Sequence, residues 1–153
     1  MKKIIAYEMS FTKEIKYSDE TLCIPFQQKY WNEYMRKYNE CFYEMCKVLG
    51  VEPINFYSSY SQMIDKASST YLYLKNEIIE GAVSCYGNEI DDLFVDKAFQ
   101  RQGLGRKLLL WGIHHKKQQG YNEILLHVAK WNQNAVKLYL KTGFTIQKKE
   151  QVR

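Results

Sequence analysis

Between residues 26 and 50, apolar side chains return every three or four positions: Tyr30, Trp31, Tyr34, Tyr38, Cys41, Phe42, Met45, Cys46 and Leu49. This spacing predicts an amphipathic helix of about five turns, opened after Pro25 and stopped by Gly50 and then Pro53. A first strand is expected over 3–9, and a short second helix over 58–67. The period then shortens. The stretch STYLYLKNEIIEGAVSCYGNEIDDLFV is rich in β-branched and aromatic residues and is broken at Asn76-Glu77 and Gly87-Asn88. It reads as three successive antiparallel strands, 70–75, 78–86 and 89–95.

Beyond it the helical period returns. Leu104, Leu108, Trp111 and His115 share a stripe, giving a helix over 106–119 closed by Gly120. EILLHV (123–128) is a strand, and 132–142 a helix with Asn132 as N-cap and Gly143 as its left-handed terminator. FTIQKK is a final strand. An antiparallel meander thus runs into a strand–turn–helix–strand crossover, which makes strands 89–95 and 123–128 parallel neighbours or near-neighbours. The fold class is α/β of the α+β type: a mixed, mostly antiparallel central sheet with one parallel pair, flanked by helices. No linker or repeat interrupts the pattern, so residues 1–153 are expected to form a single domain.

Composition narrows the function classes. The chain has 153 residues, a formal charge of +5 and a 15% aromatic content that includes thirteen tyrosines. The excess charge is small and dispersed, with no Lys/Arg block of the nucleic-acid-binding type; Lys116-Lys117 falls where a helix end would welcome cations. Cys23, Cys41, Cys46 and Cys85 form no CxxC pair, and the adjacent His114 and His115 point about 100° apart on a helix. No metal is therefore expected, and the thiols read as reduced, in a cytoplasmic protein. The N-terminal MKKIIAYEMS has too short an apolar run for a signal peptide or a membrane span.

The chemistry lies in FQRQGLGRKLLLWG, residues 99–112, where two glycines sit between basic residues at the junction of a strand and a helix. Free N–H groups and the helix dipole make such a junction an anion site. Glycine lets phosphate oxygens approach, and Arg101 and Arg106 add charge-assisted contacts. A P-loop would need Gly-Lys-Ser/Thr, but Gly105 precedes Arg106-Lys107-Leu108; a dinucleotide fingerprint would need a glycine at Leu108. Neither fits.

Gln100-Arg101-Gln102-Gly103-Leu104-Gly105 instead resembles the Q/R-x-x-G-x-G/A signature of the GNAT superfamily of acyl-CoA-dependent acetyltransferases. Leu93-Phe94-Val95 is similar to that family's L-x-V strand end, and residues 132–144, from Asn132 to Phe144, to its N-x-x-A-x-x-L-Y-x-K-x-G-F helix. The three motifs run in order over residues 89–146. Asn132, Ala135 and Tyr139 share one helix face, where an amide, a gap and a phenol suit a narrow arm running past.

The resemblance implies acetyl-CoA as cofactor and transfer of its acetyl group to a primary amine by direct attack. It gives the backbone of Leu93, Phe94 and Val95 the pantetheine arm, the 100–106 turn the pyrophosphate, and Tyr139 the role of general acid. Asp91 is the first choice of base, because the family often places an acceptor-contacting carboxylate four residues before the valine; Glu89 is the second. Asp92 faces away from both on strict alternation, unless a bulge of the kind frequent in this strand turns it inward. The acceptor is expected to be a small cationic molecule or a peptide, held by Asp91, Asp92 and the tyrosines of the first helix, Tyr30 and Tyr34, within an N-terminal half (1–88) that shapes the pocket. Neither nucleic acid nor membrane is an expected partner, and a homodimer stays open. The alternative is a non-catalytic acyl-CoA-binding sensor, against which the intact Tyr139 argues. One departure stands out. The family usually ends with two strands after the Gly-Phe pair, and here only nine residues, 145–153, remain. The last strand is therefore very short, absent, or supplied by a neighbouring chain.

Overall fold

The computed structural model describes residues 3–152. In chain order it contains β1 (Ile5–Phe11), β2 (Ile24–Pro25), α1 (Trp31–Leu49), β3 (Thr70–Lys75), β4 (Ile78–Tyr86), β5 (Glu89–Val95), α2 (Leu104–Gln118), β6 (Ile124–Ala129), α3 (Gln133–Thr142) and β7 (Thr145–Gln151). The strands form one seven-stranded sheet in the order β2-β3-β4-β5-β6-β1-β7. All neighbours are antiparallel except β5 and β6, the expected parallel pair.

Two apolar layers clamp the sheet. On one face α2 and α3 bury Leu108, Leu109, Ile113 and Val136 against Met9, Val83, Ile90, Ile124 and Leu126. Leu108, Leu109 and Ile113 have no exposed surface, a burial worth about 2 kcal/mol for each side chain. On the other face Tyr30, in the turn before α1, and Tyr34 and Tyr38 of α1 lie over Leu72, Ala82 and Phe94. α1 ends as its sequence dictates, with Gly50 in a left-handed conformation whose N–H returns to the helix.

Two local expectations are corrected, and a third is decided among its alternatives. Pro25 ends the short strand β2 rather than opening a helix, and α1 begins at Trp31 after a single 3₁₀ turn. Residues 58–67 form no α-helix; short 3₁₀ turns lie at 60–62 and 67–69. The sheet is also completed from within the chain, because β1 inserts between β6 and β7 and pairs with both. The single strand after Phe144 consequently lies outermost, and no neighbouring chain is needed to fill the position beside β6.

Candidate active site

Strands β5 and β6 pair only at Glu89–Leu125 and Ile90–Leu126, although both run further. The cause is a bulge. On β4, Ser84 faces Asp91 and Ala82 faces Phe94, so Asp92 and Leu93 together oppose the single residue Val83. Asp92 takes φ 48, an uncommon conformation for a residue other than glycine. The extra residue bends β5 away from β6 and opens a gap. The Asp96 amide donates to Glu80 across the β4 edge, so by alternation the peptide groups of Leu93 and Val95 turn to the gap. The Val95 carbonyl already accepts from Gln100 Nε2 at 2.9 Å and from the Cys41 thiol at 3.3 Å. Gln100 thus braces the strand end with the side chain expected to face a phosphate.

At the far end of β5 the chain turns into α2. Arg101 (φ 64) and Gly103 (φ 82) both have positive φ, which directs the amides of 103–106 outward at the N-terminus of a fifteen-residue helix. A Cβ placed on Gly105 would meet only ordinary contacts, with Leu138 at 3.5 Å and Val95 at 4.0 Å. Internal packing therefore does not require glycine there, whereas a close-approaching anion would. Arg101, Gln102 and Arg106 are exposed around the turn, while the Leu104 side chain is in the core, leaving Leu104 only its backbone to offer.

The gap opens into a cleft of about 480 Å³ between α1 and α3. Leu93, Asn132, Ala135 and Tyr139 line one side. Asn132 caps α3 through a 3.3 Å bond from the Ala135 amide, so the family-like face of α3 is both a helix start and a cleft wall. Burial, and then the charge of Asp91, push the Tyr139 phenol up to about 12. It keeps its proton throughout the neutral range.

The bulge sends Asp91 and Asp92 into the same cleft. Asp91 is exposed to the cleft that it lines. Burial and the neighbouring Asp92 push its carboxyl up to about 6, against a 2.8 Å bond from the Asp92 amide. Asp92 is also raised, by burial, while a bond from Tyr38 and the charge of Lys66 work against the shift. Beneath it lie the buried hydroxyls of Tyr34, Tyr57 and Tyr86, none in a well-formed hydrogen bond among the described residues. Glu89 bonds His127 Nδ1 at 2.6 Å, and Glu8 approaches the other ring nitrogen at 3.4 Å. Burial disfavours the imidazolium, but the bond and charge of Glu89, with Glu8 and Glu150, raise His127 overall.

Of the candidates, Asp91, Asp92, Leu93, Asn132, Ala135 and Tyr139 meet in this cleft, and Glu89 adjoins it through His127. Tyr30 and Tyr34 do not. They are 7% and 0% exposed, Tyr30 reaching Glu77 and Tyr34 packed on Phe26 and Phe94. One and two turns along the same stripe, Tyr38 and Phe42 take the places expected of them. Sequence reading missed His127, the loop side chains Ile54 and Phe56, and Met45. For Met45 and Phe42 a signal existed, since both lie on the aromatic stripe; for His127 it was only an outward-facing position on a strand.

Residues 28–144 match the family model described as "Acetyltransferase (GNAT) family". A mycothiol acetyltransferase from Nocardioides sp. is 40% identical over 68 residues, which is 42% of this chain but 23% of that protein. The chain thus spans under a quarter of the length of the curated relatives it matches first. The PaiA N-acetyltransferase from Thermoplasma acidophilum, solved with coenzyme A, superposes with a TM-score of 0.68 at 14% identity, covering 84% of this chain and 97% of that one. Arabidopsis thaliana Naa50, solved with the bisubstrate analogue CoA-Ac-MVNAL, gives a TM-score of 0.59 at 25% identity, covering 82% and 83%.

Proposed function

The chain belongs to the GNAT acetyltransferase family, and from that premise we propose that it is an acetyl-CoA-dependent N-acetyltransferase acting on a primary amine by direct attack. The observation that carries this reading is the gap between β5 and β6. It is bounded at one end by the N-terminus of α2 and at the other by Tyr139 and two carboxylates.

The residues present suit acetyl-CoA. The amides of 103–106, with Arg101 and Arg106, would hold the pyrophosphate, and Gly105 leaves the space. The inward-turned N–H groups of Leu93 and Val95, with Asn132 and Ala135 opposite, would hold the pantetheine arm. When bound, acetyl-CoA supplies an activated thioester to an amine nucleophile.

The chain's own groups then divide the proton transfers. Asp91, with its carboxyl near pH 6, is ionised in most molecules at neutral pH and so can accept the proton that the amine gives up as it attacks, directly or through water. A backbone N–H at the end of β5 donates to the oxygen on which charge develops. Tyr139 retains its proton and delivers it to the leaving sulfur. Glu89 with His127 forms a carboxylate–imidazole pair on the same side, able to pass a proton to bulk water.

The test is release of free thiol from acetyl-CoA across a panel of primary amines. Amine-dependent release that falls by about tenfold or more in Tyr139→Phe supports the assignment. Tight acetyl-CoA binding with no release from any amine would instead indicate a sensor.

A further inference from the structure

Beyond the carboxylates the cleft changes character. On the α1 side it is walled by Phe42, Met45 and Leu49 and, from the turn that follows, by Val51, Ile54 and Phe56. Ile4 and Val152 lie across from them. The charged groups cluster at the other end, at Asp91 and Asp92, with His127 beside them. On the apolar wall Asn39 is the one side-chain amide among the lining residues, and both its ends are occupied: Nδ2 donates to the Tyr57 carbonyl and Oδ1 accepts from the Tyr57 amide. Glu52 is the one acidic lining residue on that side, and it is exposed.

Resting on the acetyltransferase reading, we propose that the acceptor is a small amphipathic primary amine, its single ammonium at Asp91 and an apolar body in the trough of Phe42, Met45, Ile54 and Phe56. Charge complementarity sets the orientation, because an ammonium is stabilised beside the two carboxylates and loses its hydration without compensation against the apolar wall. A polyamine would have to leave its second charge there, where the one carboxylate, Glu52, is exposed and its pairing is screened by solvent. A peptide would bring a run of amide groups to a wall whose one side-chain amide, Asn39, is already engaged. The cleft measures about 480 Å³ in all and also has to admit the pantetheine arm, which leaves the acceptor room for a small molecule only.

The experiment measures kcat/KM for propylamine, hexylamine, octylamine, 1,6-diaminohexane, spermidine and the peptide Met-Val-Asn-Ala-Leu, together with their binding by thermal shift in the presence of coenzyme A. Efficiency should climb by a factor of about four for each fully buried methylene until the trough is full. 1,6-Diaminohexane should fall at least tenfold below hexylamine. Ile54→Asn and Met45→Asn, chosen so that one lies outside any helix, should each cut the octylamine-to-propylamine ratio about fivefold or more.

A flat chain-length series, a diamine or spermidine that matches hexylamine, or a peptide faster than every alkylamine would overturn the proposal while leaving acetyl transfer intact. If no amine is turned over, the acetyltransferase reading fails by itself. In that case chain-length-dependent binding would still support an amphipathic-amine trough, and length-independent binding would overturn it.

Discussion

The Tyr38 hydroxyl donates to Asp92 Oδ1 at 2.9 Å, tying the middle of α1 to the bulge of β5 at the point where the parallel strand pair opens. The helix that walls the acceptor side is thereby held by the irregularity that creates the gap. Tyr38 is also the residue by which the aromatic stripe of α1 enters the cleft.

Tyr38→Phe keeps the ring and removes the donor. A hydrogen bond to a charged group is worth about 1.5–3 kcal/mol, so the variant should lose stability of about that size in urea unfolding at pH 7. Its acceptor kcat/KM should fall while the acetyl-CoA KM holds. An unchanged urea midpoint would show that the bond carries no net stability.

Gly105→Ala should leave the apo protein at least as stable, since alanine is the better helix former and the new methyl meets Leu138 at an ordinary 3.5 Å. Acetyl-CoA should stabilise the parent protein by about 2.7 kcal/mol at a hundredfold excess over its dissociation constant. That thermal shift should shrink markedly in the variant. Gly103→Ala, at φ 82, should weaken the apo fold as well, which makes Gly105 the cleaner probe.

Tyr139→Phe should lower kcat by about ten- to a hundredfold or more, as expected for loss of a general acid, with little change in acetyl-CoA affinity. Because the phenol titrates only near 12, it should contribute no ionisation between pH 6 and 9 in the parent profile. Turnover unaffected by the change would assign the proton to water.

Asp91 predicts a pH signature in two measurements. As a base with a carboxyl near 6, it should give a kcat/KM that rises with pH through that value and a rising limb that Asp91→Asn abolishes. The raised value also means that the folded chain holds this proton more tightly than the unfolded chain. Its contribution to stability is therefore greatest below about 3.8 and declines as pH rises to about 6. Asp91→Asn should flatten that decline, in part because Asp92 then loses a like-charged neighbour.

Lys37 is 5% exposed and contacts Glu33 at 3.1 Å, Asp96 at 3.0 Å and the Ile79 carbonyl at 2.7 Å, while Glu33 accepts from the Ile79 amide. This clamp fixes α1 to the start of β4 and to the residue after β5. Lys37→Met strands two carboxylates and should cost about 3 kcal/mol or more in chemical denaturation. A smaller loss would mean that the carboxylates find water once the lysine is gone.

Several features were legible in the chain because their causes are local. The bulk of each strand from 70 to 95 follows from period-two patterning, the α2 start from its glycine turn, and the α3 cap from Asn132 bonding three residues on. The Gly103–Gly105 turn stood out by its place between a strand and a helix, and Tyr139 by the resemblance of its helix to the family motif. What the sequence could not decide is non-local. A helical stripe defines a face but not which turn of it lies over the cleft, so Tyr30 and Tyr34 were as eligible as Tyr38 and Phe42 until α1 was seated by Lys37 and Tyr38. The same holds for β1: seven residues of alternating pattern state that a strand exists, while only the free edges of β6 and β7 decide where it pairs. His127 joins Glu89 and Glu8 for that reason as well, three strands meeting through register, a relationship that exists only once the sheet has formed.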